Sequence, residues 1–289
     1  MEIKIENLIK DYNGYLALNG IDMEMTDGMF GLLGANGAGK STLIKILAGI
    51  LKATSGEIII DGEKVKCTQQ LREIVGYIPQ KFSFYAYMTV FEIMDYFAGL
   101  NKIKFGKKEK IEKILEMAHL SEKKYVRVKN LSGGMKQRLG IAVALIKEPK
   151  LLLVDEPTVG LDPKERINFN NVLMNFSKKR VVLISSHIVT DIESTCENLA
   201  ILNYGDVIYN GSTQNLVKEC CGKVWQFDTD MENSVKIEKD LSVSSKRIYD
   251  NKVILRTVSE IKPNKNAIQV EPNLNDAYLY KINSYDAES

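Results

Sequence analysis

A chain of 289 residues with 45% apolar side chains is long enough for one large domain or two and can build a real core, which excludes intrinsic disorder. Thirty-nine basic against 37 acidic residues leave a net charge of +2, too balanced for a nucleic-acid footprint, so no nucleic-acid partner is expected. Cys67, Cys196, Cys220 and Cys221 form no CxxC pair and have no neighbouring histidines, so neither a zinc site nor a disulfide framework is expected.

In chain order, Met1 to Glu6 alternate apolar and charged residues like a half-buried strand and lack the apolar core of a signal peptide. No uninterrupted apolar run reaches about 18 residues, so no transmembrane helix is expected. Ile21, Met23 and Met25 alternate with Asp22 and Glu24, and Gly56 to Ile60 runs from a turn at Thr54-Ser55-Gly56 to Asp61-Gly62; both read as strands. Between them, the apolar run Met29-Phe30-Gly31-Leu32-Leu33 leads into Gly34-Ala35-Asn36-Gly37-Ala38-Gly39-Lys40-Ser41-Thr42 and a helix marked by Leu43, Ile46, Leu47 and Ile50. That order, strand, glycine loop, lysine, hydroxyl, helix, is the context the phosphate-binding pattern GxxxxGK[ST] requires. Glycines let backbone N–H groups converge on phosphate oxygens, and the helix N-terminus adds about half a positive charge. Lys40 then holds the β- and γ-phosphates while the Ser41 hydroxyl coordinates Mg²⁺. The loop by itself would serve a kinase or a GTPase equally.

From Thr89 the period becomes helical. Thr89 and Glu92 form a capping box, and Val90, Ile93, Met94, Phe97 and Leu100 mark one apolar face. The lysine-rich stretch Lys102 to Lys113 also carries Glu109 and Glu112 and reads as a solvated face; a second helix follows through Ile111, Ile114, Leu115 and Ala118. His119 sits with that helix outside any motif. Residues 82–148 therefore read as a helical insert. Within it, Leu131-Ser132-Gly133-Gly134-Met135-Lys136-Gln137-Arg138 opens a helix with apolar positions Leu139, Ala142, Val143 and Ile146. Ser132 is a natural N-cap, and the glycines leave N–H groups open to a second anion.

Strand-helix alternation then resumes. Leu151 to Val154 reads as a buried strand that delivers Asp155 and Glu156 at its C-terminal end, where open α/β sheets gather ligand chemistry. Asp155 is placed to hold Mg²⁺, directly or through water, and Glu156 to act as the general base that polarises attacking water. Asp162 caps a helix that begins at Pro163 and buries Phe169, Val172, Leu173 and Phe176; Val181 to Ile184 is another buried strand. Such alternation implies an α/β fold with a mostly parallel sheet. After Leu216 the texture changes: residues 221–289 hold the single Trp225, two β-like runs around a hairpin turn at Asp250-Asn251, and a closing helix over Leu274 to Tyr280, and read as a small α+β accessory domain.

LSGGMKQR resembles the signature motif of the ATP-binding cassette (ABC) family, and with GANGAGKST, LLLVDEP, Gly160-Leu161-Asp162 and His187 in that order the likeness covers residues 1–220. It implies a P-loop cassette with an N-terminal antiparallel β subdomain, binding ATP and Mg²⁺. By resemblance, Tyr12 stacks on adenine, with Tyr15 close enough to compete; Gln80 touches Mg²⁺ and the attacking water; Asp162 communicates between two cassettes; and His187 contacts the γ-phosphate. Leu131, Ser132, Gly133, Gly134 and Gln137 would serve the ATP of a facing subunit, either a second copy or a related cassette, in a head-to-tail dimer. The gap between Lys40 and Ser132 leaves no room for the long coiled coil of chromosome-structure ATPases, and one P-loop argues against a two-cassette translation factor. What remains is the ATPase subunit of a transporter, working on the cytoplasmic face of the membrane with a separate permease. The aromatic segment Lys81 to Met88, with Phe84, Tyr85 and Tyr87, is a candidate surface for that permease. The tail around Pro272 to Leu279 is similar to that of ATPases paired with ABC-2-type permeases, mostly exporters. The competing expectation is a non-transport ABC ATPase acting as a nucleotide-dependent switch.

Overall fold

The computed structural model describes residues 1–158, 160–178, 180–250 and 252–288. In chain order the strands are β1 (Glu2–Tyr12), β2 (Tyr15–Thr26), β3 (Gly28–Leu33), β4 (Ser55–Ile60), β5 (Glu63–Lys64), β6 (Val75–Ile78), β7 (Leu151–Asp155), β8 (Val181–Ser186), β9 (Asn198–Asn203), β10 (Asp206–Ser212), β11 (Val224–Thr229), β12 (Ser242–Tyr249), β13 (Lys252–Val258) and β14 (Ile268–Gln269). The helices are α1 (Lys40–Leu47), α2 (Thr68–Ile74), α3 (Val90–Leu100), α4 (Lys107–Met117), α5 (Gly133–Leu145), α6 (Pro163–Ser177), α7 (Val189–Glu193), α8 (Thr213–Glu219), α9 (Met231–Asp240) and α10 (Leu274–Glu288). Among the described residues, no helix is long and apolar enough to cross a membrane.

Among the described residues these strands form three sheets. An antiparallel sheet in the order β2-β1-β4-β5 covers a six-stranded sheet in the order β10-β9-β3-β8-β7-β6, whose strands run parallel except at the β9/β10 edge; β12-β13-β11-β14 form a third, antiparallel sheet. Side chains alternate across a strand, and the central sheet uses both faces. In β3, β7 and β8, Met29, Leu33, Leu152, Val154, Val182 and Ile184 enter the core shared with α3 to α6. Phe30, Leu32, Leu151, Leu153, Val181 and Leu183 enter the opposite core, shared with α1 and the N-terminal sheet. Coverage of both faces is why these strands read as unbroken apolar runs rather than alternating ones.

Several local expectations need correction. The P-loop helix ends at Leu47, so Ile50 lies beyond it and is 59% exposed. Leu100 is 60% exposed and does not continue the buried α3 face, which closes instead on Ala98. Part of the lysine stretch lies inside α4, where Lys107 pairs with Asp95 at 2.6 Å and Lys110 with Glu148 at 3.0 Å. His119 follows that helix rather than belonging to it, with φ of 54° and an exposed side chain. Helix α10 runs on to Glu288, twice the expected length. At the predicted hairpin, Tyr249 pairs with Lys252 and Asp250 adopts φ of 47°; Asn251 lies outside the described residues.

Candidate active site

Four neighbouring parallel strands, in the spatial order β3, β8, β7, β6, end on one side of the central sheet. Their C-terminal ends carry, in that order, the glycine loop, His187, the Asp155-Glu156 pair and Gln80. Residues far apart in sequence thus converge because parallel strands present equivalent ends together. They face a cleft of about 600 Å³ whose wall includes Lys40, Ser41, Gln80, Glu156 and His187.

The glycine loop takes its shape from residues that lack a side chain. Gly39 caps α1 with φ of 109°, and a Cβ there would sit 2.5 Å from the Ala17 carbonyl oxygen, so only glycine fits without strain. The Lys40 ammonium, 5% exposed, donates to the carbonyl oxygens of Gly34 and Ala35 at 2.7 and 2.9 Å and lies 3.5 Å from Glu156 Oε1. Burial holds its pKa below the ordinary lysine value, against the opposing pull of the Glu156 and Asp155 carboxylates. Asn36, Gly37 and Thr42 also line the cleft. Ala35 is exposed and Ala38 is buried under the N-terminal sheet.

Glu156 is the hub. Its Oε2 accepts from Gln80 Nε2 at 2.8 Å, and its Oε1 lies 3.4 Å from His187 Nδ1 as well as near Lys40. Its backbone adopts φ of 45°, the left-handed region, which turns the side chain off the sheet and into the cleft. Asp155 accepts from Ser41 Oγ at 3.3 Å and from Ser185 Oγ at 2.7 Å. A hydroxyl beside a carboxylate, both oxygen donors, suits Mg²⁺. Tyr12 and Tyr15 are paired across the β1/β2 hairpin and both flank the cleft, 45% and 63% exposed, so both remain available to a flat base.

Other expected residues lie apart. Ser132 caps α5, accepting from the Met135 N–H at 3.2 Å, and Ser132 and Gly133 are exposed away from the cleft of their own chain. Leu131 is buried, Gln137 is half-buried, and Gly134 packs so closely on α6 that a Cβ would meet Glu165 Oε2 at 2.3 Å. Asp162 caps α6 by accepting from the Glu165 N–H at 2.9 Å and also lies outside the cleft. In the aromatic segment, Phe84 packs edge-on against Phe82 and Phe97 and belongs to the core of the helical layer, whereas Tyr85 and Tyr87 are 62% and 74% exposed.

Two groups beside the cleft belong to no motif: the buried Ser185, signalled in the sequence only by its polarity inside an apolar strand, and the buried cluster in which Asp191 accepts from Thr158 Oγ1 at 2.5 Å and from Arg166 Nη1 at 3.1 Å. That cluster ties the segment after Glu156 to α6 and to α7, the helix that follows His187.

A glycine loop and its lysine after one parallel strand and a carboxylate pair at the same end of the next strand but one define a P-loop nucleoside triphosphatase. Residues 18–159 match the ABC transporter family. A Bacillus subtilis protein described as an uncharacterized ABC transporter ATP-binding protein, YxlF, is 38% identical over 75% of this chain and 73% of its own length. The linearmycin resistance ATP-binding protein LnrL of the same organism is 32% identical over 76% of this chain and 72% of its own. The Nod factor export ATP-binding protein I of Rhizobium sp. (strain N33) is 35% identical over 76% and 74%. Among solved structures, cbiO1 from Clostridium perfringens, part of the ABC transporter complex cbiONQ, superposes with a TM-score of 0.68 at 30% identity over 75% of this chain and 90% of that one. The chain belongs to the ABC transporter ATP-binding proteins and is an ATP-hydrolysing cassette.

Proposed function

We propose that the chain is the ATPase subunit of an ABC exporter, working at the cytoplasmic membrane face with a separate permease of the ABC-2 type. The observation that carries the catalytic part is the Glu156 carboxylate held among Lys40, Gln80 and His187 at the ends of four adjacent strands. Glu156 accepts a proton from water, Gln80 and His187 orient it, and Lys40 leaves the loop carbonyls to bind the β- and γ-phosphates. Tyr12 or Tyr15 covers the adenine, and the amides from Gly34 to Thr42 cradle phosphate. Mg²⁺, held by Ser41, Asp155 and Gln80, would neutralise charge building on the phosphates.

The N-terminus of α5, exposed at Ser132 and Gly133, points to a second cassette, a copy of this chain or a relative, whose ATP it completes together with Gly134 just behind it. Asp162, exposed at the start of the neighbouring α6, is the residue through which the two cassettes communicate. ATP closes the pair, hydrolysis reopens it, and the motion reaches the permease, for which the exposed Tyr85 and Tyr87 are candidate contacts. The export assignment leans on the names of the relatives concerned with Nod factor export and linearmycin resistance. The test is Glu156→Gln: turnover falls by about a hundredfold or more, as loss of a general base implies, while ATP-dependent dimerisation in size-exclusion chromatography persists. Undiminished turnover removes Glu156 from the mechanism.

A further inference from the structure

Ser185 is completely buried, belongs to no motif used above, and does not line the cleft. It lies on β8 directly opposite Asp155 on β7, two residues beyond the Leu183/Leu153 pair and on the same sheet face, the one turned toward α1. Its hydroxyl donates to Asp155 Oδ1 at 2.7 Å and accepts from the Glu156 backbone N–H at 3.0 Å. Ser41 Oγ donates to the same Asp155 oxygen at 3.3 Å. One chain of hydrogen bonds therefore runs from the α1 hydroxyl through Asp155 and Ser185 to the backbone of Glu156.

That backbone is where help is needed. At φ of 45°, Glu156 has left the strand for a left-handed conformation that strains a non-glycine residue and persists only where the surroundings impose it. Its N–H, buried at the end of β7, is satisfied by the Ser185 hydroxyl.

We propose that Ser185 is a positioning residue for hydrolysis: its hydroxyl straps the end of β7, holds Glu156 in the left-handed turn that aims its carboxylate at Lys40, Gln80 and His187, and fixes the Asp155 carboxylate beside Ser41. The proposal rests on Glu156 being the general base. A hydroxyl that both donates and accepts is required, which valine or alanine cannot supply. Because the groove around Tyr12 and the amides of the glycine loop do not touch Ser185, its loss affects turnover rather than ATP affinity.

The experiment compares Ser185→Ala, Ser185→Thr and Glu156→Gln, measuring turnover per ATP-binding-competent molecule, the Kd of a fluorescent ATP analogue, and Tm. Ser185→Ala is expected to lower kcat about tenfold or more with Kd within about twofold, as loss of a buried charge-assisted hydrogen bond implies. Ser185→Thr, which keeps the hydroxyl, recovers most of the rate. Unchanged kcat in Ser185→Ala overturns the proposal, as does a loss that vanishes when each variant is assayed at the same interval below its own Tm. If the alanine variant does not fold, Ser185→Cys preserves the volume with a much weaker donor and gives the same kcat-against-Kd comparison. Full turnover in Glu156→Gln is a separate failure, that of the general-base assignment, whatever Ser185 does.

Discussion

Burial sets the chemistry of individual side chains well beyond the cleft. The Cys196 and Cys220 thiols are both pushed up to about 12, chiefly by desolvation and at Cys220 also by the Asp276 carboxylate, whereas Cys67 and Cys221 are exposed. Tyr77 is likewise raised to about 12 by burial and by Asp155. For the two thiols the folded pKa lies above the unfolded value of 9.0, so above that pH the unfolded chain binds fewer protons than the folded one. Their contribution is therefore complete below pH 9 and is lost as pH rises toward 12. Two outcomes follow: a denaturation midpoint that falls with pH across that window, less steeply in Cys196→Ala, and labelling of native protein by a thiol reagent at Cys67 and Cys221 alone, with Cys196 and Cys220 reacting only on unfolding.

Helix α3 carries its own start signal. Thr89 Oγ1 accepts from the Glu92 N–H at 3.2 Å, while the Glu92 carboxylate accepts from the Thr89 N–H at 2.7 Å and from the Thr89 hydroxyl at 3.0 Å, and the two bonds to the carboxylate hold Glu92 below the usual carboxylate range. Thr89→Ala removes one half of the box and is expected to cost about 0.5–2 kcal/mol, a fall in Tm of a few degrees by calorimetry with ATP affinity unchanged. Caps, loops and strand ends of this kind are legible because they rest on contacts between residues close in sequence. The central strands are legible too, since coverage on both faces leaves an unbroken apolar run. Periodicity fails where a neighbouring element decides: Leu100 and Ile50 keep the helical spacing but face solvent, and Phe84 is drawn from the surface by Phe82 and Phe97. Lys40, Gln80, Glu156 and His187 can each be picked out by motif, and the structure brings them to one cleft. Ser185 escapes because its meaning lies in a partner on another strand, and the turn at Glu156 because no propensity favours it.

Across the molecule, helix α10 fastens the third sheet to the rest, packing on α7, α8, β10, β12 and β13. Its first N–H donates to Glu193 on α7 at 3.1 Å, and Tyr285 donates to Asp206 at 2.6 Å. At its start Asp276, wholly buried, accepts from Arg256 Nη2 at 2.6 Å, from Ser244 Oγ at 2.5 Å and from the Asn273 N–H at 2.8 Å. Asp276→Ala strands the Arg256 charge and should cost about 3–5 kcal/mol. Chemical denaturation followed at Trp225, which lies in this sheet, is the direct measure; an unchanged midpoint would contradict the packing role. The strand order of the central sheet has a last consequence. Because β8 lies between β3 and β7 while β6 sits at the edge beside β7, Lys40 and His187, distant in sequence, are near neighbours in space, and Gln80 and Glu156, in direct contact, are separated along the chain by all of α3 to α5. No single stretch shorter than residues 40–187 holds the whole constellation, so a cut anywhere in the α3–α5 layer leaves two inert pieces, and activity returns only if they re-associate into one sheet. The site is indivisible along the chain although it is compact in space.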